Sequence, residues 1–462
     1  MKIRAGTGMV SLVAAGLVTG GASAGAVHVP MYPFTGDFPG EFFGYSVASL
    51  GDINADGVSD LLIGIVLDPT NGASAGSARA ISGKTGLPLF FFFGQAPGHR
   101  LGFSVSSAGD VNNDGAPDIL IGAPFVSGGN GAVNIYSGLT GQLLRTLTGD
   151  PTGDTFGSSV SGVGDVDADG FDDVLVGLPL NDAGGANAGA ARIYSGADGS
   201  LLRTMTGDAA GDQFGASVSA VGDVDGDTVP DYIVGARFAD VGGNDAGMAR
   251  VFSGATGDTI RTLRGLQAGD QFGSAVSGAG DLNGDASEDV LVGAPQNDAA
   301  ASGAGAAYII SVASGVILRE FRGDSAFDNL GFAVAAAGDV NGDGFQDAIV
   351  GAPLDDNTGV DSGSARVFSG ADGAVLYTFN GDAAGDNFGR AVAGAGDINQ
   401  DGLADLIVGA NQADTTFPNA GHAKLFVSAA IPDPCAGDAD GNGAVNFADI
   451  TEVLRSFGGS CP

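Results

Sequence analysis

Seven copies of one acidic motif, of which "GDVNGDGFQD" at residues 338–347 is the sixth, constrain this chain more than any other feature. They begin at Asp52, Asp110, Asp165, Asp223, Asp281, Asp339 and Asp397, at intervals of 58 residues except for one of 55. A period this long and regular means one supersecondary unit repeated, each copy burying its apolar face against the next. The surrounding phrase recurs too: "FGSSVSGVGD", the acidic loop, "DVLVGLP", "GAARIYSG", "SLLRTMTGD". Apolar stretches bounded by Gly, Asp and Pro predict four short strands per copy, with the acidic loop joining the first strand to the second.

Seven such units predict an all-β fold, a seven-bladed β-propeller of four-stranded antiparallel blades, because radial repetition leaves only short, protected edges. The seventh copy runs "FGRAVAGAGD", "DLIVGAN", "GHAKLFVS" and reaches "IPDPC" without a fourth strand. The segment "VHVPMYPFTGD" from Val27 ends in the "TGD" that closes fourth strands at 148–150 and 206–208. Residues 27–36 are therefore expected to complete the last blade of a propeller spanning 27–430, leaving no open edge.

The flanking segments differ. Lys2 and Arg4, the apolar run Met9–Val18, and "ASA" at 22–24 or "AGA" at 24–26 read as an export signal over residues 1–26. No later run has the length and apolarity of a transmembrane helix. With 54 acidic against 18 basic residues the net charge is −36, which excludes nucleic acid and anionic membrane surfaces and favours cations as partners. Three histidines leave little material for zinc clusters or repeated general bases. A secreted or cell-surface monomer is expected.

"FG" at 43, 156, 214, 272 and 388, followed about twenty residues later by "GAP" at 122, 293 and 351, resembles the FG-GAP repeats of the integrin α-subunit head and of related bacterial secreted propellers. Leu101 and Leu330 replace the Phe, and "GIV", "GLP", "GAR" and "GAN" replace "GAP" in blades one, three, four and seven. The resemblance implies calcium in the acidic loops. Spacing supplies a physical reason, since Ca²⁺ takes six to eight oxygens at about 2.3–2.6 Å and a glycine turns the chain between them.

Side chains at positions 1, 3, 5 and 9 and the carbonyl at position 7 are the candidate ligands. These are Asp52, Asn54, Asp56, Val58 and Asp60; Asp110, Asn112, Asp114, Ala116 and Asp118; Asp165, Asp167, Asp169, Phe171 and Asp173; and Asp223, Asp225, Asp227, Val229 and Asp231. The last three loops offer Asp281, Asn283, Asp285, Ser287 and Asp289; Asp339, Asn341, Asp343, Phe345 and Asp347; and Asp397, Asn399, Asp401, Leu403 and Asp405. The side-chain positions hold 23 aspartates, whose repulsion a cation relieves. Thr228 and Ala286 stand where the other loops have glycine at position 6, so loops four and five are expected to be the weakest or distorted.

Catalysis at these loops is not expected. A hydrolytic metal keeps an open coordination position and a neighbouring base, whereas each loop is a closed set of oxygens without His. In antiparallel blades the acidic loops share a face with the connections from strand three to strand four. The other face carries "RFADVGGNDAG" from Arg237, "NQADTTFPNAG" from Asn411, and "GQAPGHRLG" with His99 and Arg100. There the expected partner is an extracellular protein or a carbohydrate; the alternative is a hydrolase or lyase with its site on that face. "RGD" at 322–324 lies in register with "TGD" and "NGD" elsewhere and reads as a strand end, not as an adhesion motif.

Beyond Ile431, "CAGDADGNGAVNFADITEVLRSFGGSC" places Asp438, Asp440, Asn442, the Ala444 carbonyl and Asp449 at positions 1, 3, 5, 7 and 12 of an EF-hand-like loop followed by a short apolar-faced helix. This segment, 431–462, resembles one half of a dockerin, the module that binds cohesins. That resemblance implies an eighth calcium site and a cohesin-like partner. A Cys435–Cys461 disulfide is the expected staple of so small a module. The whole reads as a calcium-binding extracellular binding, scaffolding or adhesion protein, not an enzyme.

Overall fold

In a computed structural model, described over residues 27–150, 153–415 and 417–429, the apolar runs form 28 strands in seven four-stranded antiparallel sheets. The protein is a seven-bladed β-propeller. The expected leader and the expected EF-hand-like module lie outside the described residues.

The second strand of each blade is buried at every position, from Asp60–Ile65 in blade one to Asp405–Ala410 in blade seven. Its residues are apolar on both sides because alternate side chains enter opposite neighbours. Leu61 and Ile63 pack with Ile407 of blade seven, while Leu62 packs with Ile119 and Ile121 of blade two. First strands, such as Phe43–Gly51 and Phe388–Gly396, touch the first strands of both adjacent blades and so line the axis. Fourth strands form the rim. Val27–Thr35 lies beside His422–Ala429 as the outer strand of the sheet that contains Asp405–Ala410 and Phe388–Gly396.

The FG and GAP signatures meet across blades. Phe43, Leu101, Phe156, Phe214, Phe272, Leu330 and Phe388 are buried at blade interfaces, and each bridges to a glycine of the preceding blade. The following glycine is obligatory: Gly215 has φ +86° and a Cβ on it would meet the Ala190 carbonyl, while its own carbonyl occupies the space a Cβ on Gly177 of blade three would need. Replacing Phe by Leu, as at 101 and 330, keeps this glycine contact and a buried apolar plug.

Cations fasten the blades on both faces. Third-strand Arg79, Arg192, Arg250, Arg366 and Lys424 pair with Asp37, Asp150, Asp208, Asp324 and Asp382, each 42 residues earlier at the end of the preceding blade. Nearer the acidic loops, Arg145, Arg203, Arg261 and Arg319 donate to carbonyls of Ala197, Ala255, Ala313 and Ala371 in the next blade. Asp324 of the "RGD" triplet is thus held by Arg366 at 2.7 Å, and Arg322 pairs with Glu320 at 2.9 Å.

Candidate functional site

The seven acidic loops share one backbone. Positions 4 and 6 are left-handed in every copy. Position 1 binds back on its own loop, Asp52 accepting the N–H of Asp56 at 3.0 Å and of Gly57 at 2.8 Å. Position 5 accepts the N–H of position 7, as Asp56 does from Val58 at 3.1 Å and Asp343 from Phe345 at 2.9 Å. Position 9 is buried, and Asp60 accepts N–H groups from Ile53 in the loop and from Gly83 past the third strand, both at 3.1 Å. Asp118, Asp173, Asp231, Asp347 and Asp405 make the same two bonds; Asp289 makes the first, with Leu282.

The distortion expected of loops four and five is absent from their backbones. Thr228 and Ala286 hold φ +73° and +65°, and their N–H groups reach Asp223 and Asp281 at 2.8 and 2.9 Å, as glycine does in the other loops. The hydrogen bonds of the loop impose the left-handed conformation, and the side chain bears the strain.

Electrostatics make these loops receptive to a cation. Burial, with the neighbouring aspartates adding to it, pushes Asp60, Asp173, Asp231, Asp289 and Asp405 up to about 6, and Asp118 and Asp347 to about 7. In loops three and four, carboxylate oxygens of Asp165, Asp167 and Asp173, and of Asp223, Asp225 and Asp231, converge within 4.8 Å. In loops one and two the buried Oδ1 atoms of Asn54 and Asn112 have no hydrogen-bond partner. Orphaned acceptors and desolvated carboxylates are what a hard cation satisfies. In loops five, six and seven the Asn283, Asn341 and Asn399 side chains instead accept the N–H of Asp285, Asp343 and Asp401.

One contributor escaped the sequence reading. The buried serine that ends each third strand lies beside the loop: the Ser428 hydroxyl donates to Asp401 at 2.7 Å, and Ser82 and Ser137 approach Asp56 and Asp114 at 3.4 Å. Its signal was the "SG" in "YSG" and "FSG", which recurs in register but carries no charge.

On the opposite face, Glu41, Asp154, Asp212, Asp270, Asp328 and Asp386 occupy equivalent buried places before the FG pair. They brace turns, Asp212 accepting from Ala209 at 3.0 Å and Asp328 from Ser325 at 2.9 Å. Burial pushes Glu41 and Asp328 up to about 7. Such acids could suggest acid–base chemistry, but their recurrence in six blades ties them to the fold. What breaks the repeat is the residue after each FG glycine, at the axial mouth: Tyr45, Phe103, Ser158, Ala216, Ser274, Phe332 and Arg390. Blades six, seven, one and two thus form a crescent of large side chains, and blades three to five carry small ones. Of the loops singled out by sequence, Arg237 is bound to Gln213 at 2.8 Å, Arg100 lies over Phe125 at 4.5 Å, and Asn411 is buried.

Comparison with known proteins agrees with this architecture. The FG-GAP repeat family matches residues 101–136, 272–310, 330–368 and 388–426. The chain is 34% identical to integrin alpha-5 of Xenopus laevis over 218 residues, 43% of this chain and 20% of that protein. It is 32% identical to integrin alpha-V of Gallus gallus over 226 residues (45% and 21%), and 35% identical to integrin alpha-2 of Bos taurus over 167 residues (33% and 14%). Fold and matches together define an integrin-α-like, FG-GAP-bearing propeller. The chain spans about a fifth or less of the length of these relatives.

Proposed function

We propose that the protein is a calcium-braced extracellular binding propeller, with adhesion or scaffolding as its role and no catalysis of its own. The observation that carries this reading is the orphaned Asn54 and Asn112 oxygens beside buried, mutually repelling aspartates in a loop repeated seven times. Positions 1, 3, 5 and 9, with the position 7 carbonyl, would hold Ca²⁺. The ion would neutralise the loop and tie the first strand to the third through position 9. The likeness to integrin α-subunits favours extracellular protein or glycan partners, and ligands would meet the face away from the loops. Secretion through residues 1–26, and attachment to a cohesin-like partner through an EF-hand-like segment at 431–462 closed by Cys435–Cys461, belong to the same proposal.

The test is thermal unfolding with calcium and with a chelator. Mass action stabilises a fold by RT ln(1 + [L]/Kd) at each occupied site, so chelation should lower the melting temperature clearly and calcium should restore it. A melting temperature indifferent to chelator would overturn the reading.

A further inference from the structure

Among the described Lys and Arg residues, three have side chains that make neither a hydrogen bond nor an ion pair: Arg100, Arg264 and Arg390. In a chain of net charge −36, a guanidinium without a carboxylate partner is an anomaly. Arg390 alone of the three lies against two aromatic rings, the centroids of Tyr45 and Phe332 each 4.6 Å from its guanidinium carbon. Blades three to five place Ser158, Ala216 and Ser274 at this register and form the same sheets, so the fold does not require the sandwich.

Arg390 lines a cavity of about 240 Å³ on the face opposite the acidic loops, between blades six, seven and one. Its polar wall is made of amides: Asn387, Asn411 and Gln412. Asn411 is 2% exposed, and its Oδ1 has no partner. Amides offer donors and acceptors together, which matches hydroxyl groups, and a planar guanidinium with its donors free matches a carboxylate two-pronged. The volume lies below the roughly 300–1,000 Å³ of drug-sized sites, room for one ring only.

We infer that this cavity binds a carboxylated sugar residue of the uronic acid class, with Arg390 on its carboxylate, Asn411 and Gln412 on its hydroxyls, and Tyr45 and Phe332 positioning the guanidinium. An acidic peptide side chain would satisfy Arg390 but leave the amide wall unused. The inference deepens the proposed function and rests on its reading of this face as the binding surface.

The full chain in calcium is titrated calorimetrically with the methyl glycosides of glucuronate and galacturonate, with their neutral glucose and galactose counterparts, and with a short aspartate-containing peptide. At least one uronate should bind, with the neutral sugars at least tenfold weaker, because a site built for a charged group rejects the analogue lacking it. Arg390→Lys should weaken binding at least tenfold at an unchanged melting temperature, and Gln412→Ala severalfold. Arg390→Ala should abolish it; if that variant does not fold, Arg390→Lys and Gln412→Ala carry the test. No heat with either uronate, equal binding of neutral sugars, wild-type affinity in Arg390→Lys, or tighter binding of the peptide would each overturn the assignment. Chelator-sensitive melting combined with silence toward uronates keeps the calcium reading and sinks this one.

Discussion

Thr228 shows how far a repeat bends an individual residue. Its backbone is left-handed because the Asp223 carboxylate accepts N–H groups from both Asp227 and Thr228, and only φ > 0 aims both at it. A non-glycine residue in a sparsely populated region costs on the order of 1–3 kcal/mol, and restoring glycine returns part of that gain to the unfolded chain, about 0.4–1 kcal/mol. Thr228→Gly should therefore stabilise the calcium-loaded protein by roughly 1 kcal/mol, measured by chemical denaturation, and tighten calcium binding at loop four. A loss of stability would mean that the Thr228 side chain makes a compensating contact. The sequence marked this residue as an exception, but it could not show that the loop's hydrogen bonds would hold the backbone unchanged. Nor did it reveal that Asp225, a fourth carboxylate in loop four, converges with Asp223 and Asp231 and so opposes the weakening expected from Thr228. Loop five has Ala286 but Asn283 in place of that carboxylate, so a calcium titration should find it the weakest of the seven.

At the scale of the strand, the repeats supply their own control experiments. His422 opens the third strand of blade seven, where blades one and six have Ser77 and Ser364. It is buried beside Phe388 with no partner for Nε2, and burial, aided by Lys424 and opposed by Asp382, pushes it down to about 4. The unfolded chain binds this proton near pH 6.5, so between about 6.5 and 4 the unfolded state holds more protons than the native one, and stability falls as pH falls. Across that window the loss attributable to His422 is on the order of 3 kcal/mol. His422→Ser should remove it, seen as a flatter pH dependence of unfolding free energy than wild type in saturating calcium. Parallel curves would show that the ring finds a proton acceptor in the native state. Strand positions such as this were legible from period and alternation alone, because both follow from the pleat. Which copy carries an uncompensated histidine was not legible, since it depends on what the neighbouring blade places opposite.

For the whole molecule, closure decides whether seven marginal sheets become one stable body. The sequence revealed it through a deficit: the seventh copy ends one strand short, while "YPFTGD" near the start repeats a fourth-strand ending. The axial crescent was less legible, because Tyr45, Phe332 and Arg390 are 287 and 58 residues apart in sequence and only the ring joins blade seven to blade one. The strand Val27–Thr35 buries Phe34 in the core shared with Phe43 and Ile63 of blade one, and Tyr32 packs there too. Asp37, just beyond it, takes the latch from Arg79 at 2.5 Å. Deleting residues 27–36 would strip Leu425 and Val427 of cover and turn His422–Ala429 into a bare edge, a template for pairing with another chain. Loss of a buried Phe alone costs about 3–5 kcal/mol. The truncated protein should thus unfold at markedly lower denaturant and run as larger species than the intact chain on size exclusion, and a peptide of residues 27–36 added in trans should restore the intact chain's elution in part. A truncated chain that elutes as the intact one does, with wild-type stability, would show that the other six blade interfaces hold the ring without this strand. The axial site would then need no closure between blades seven and one, and uronate binding by the same truncated chain would measure that directly.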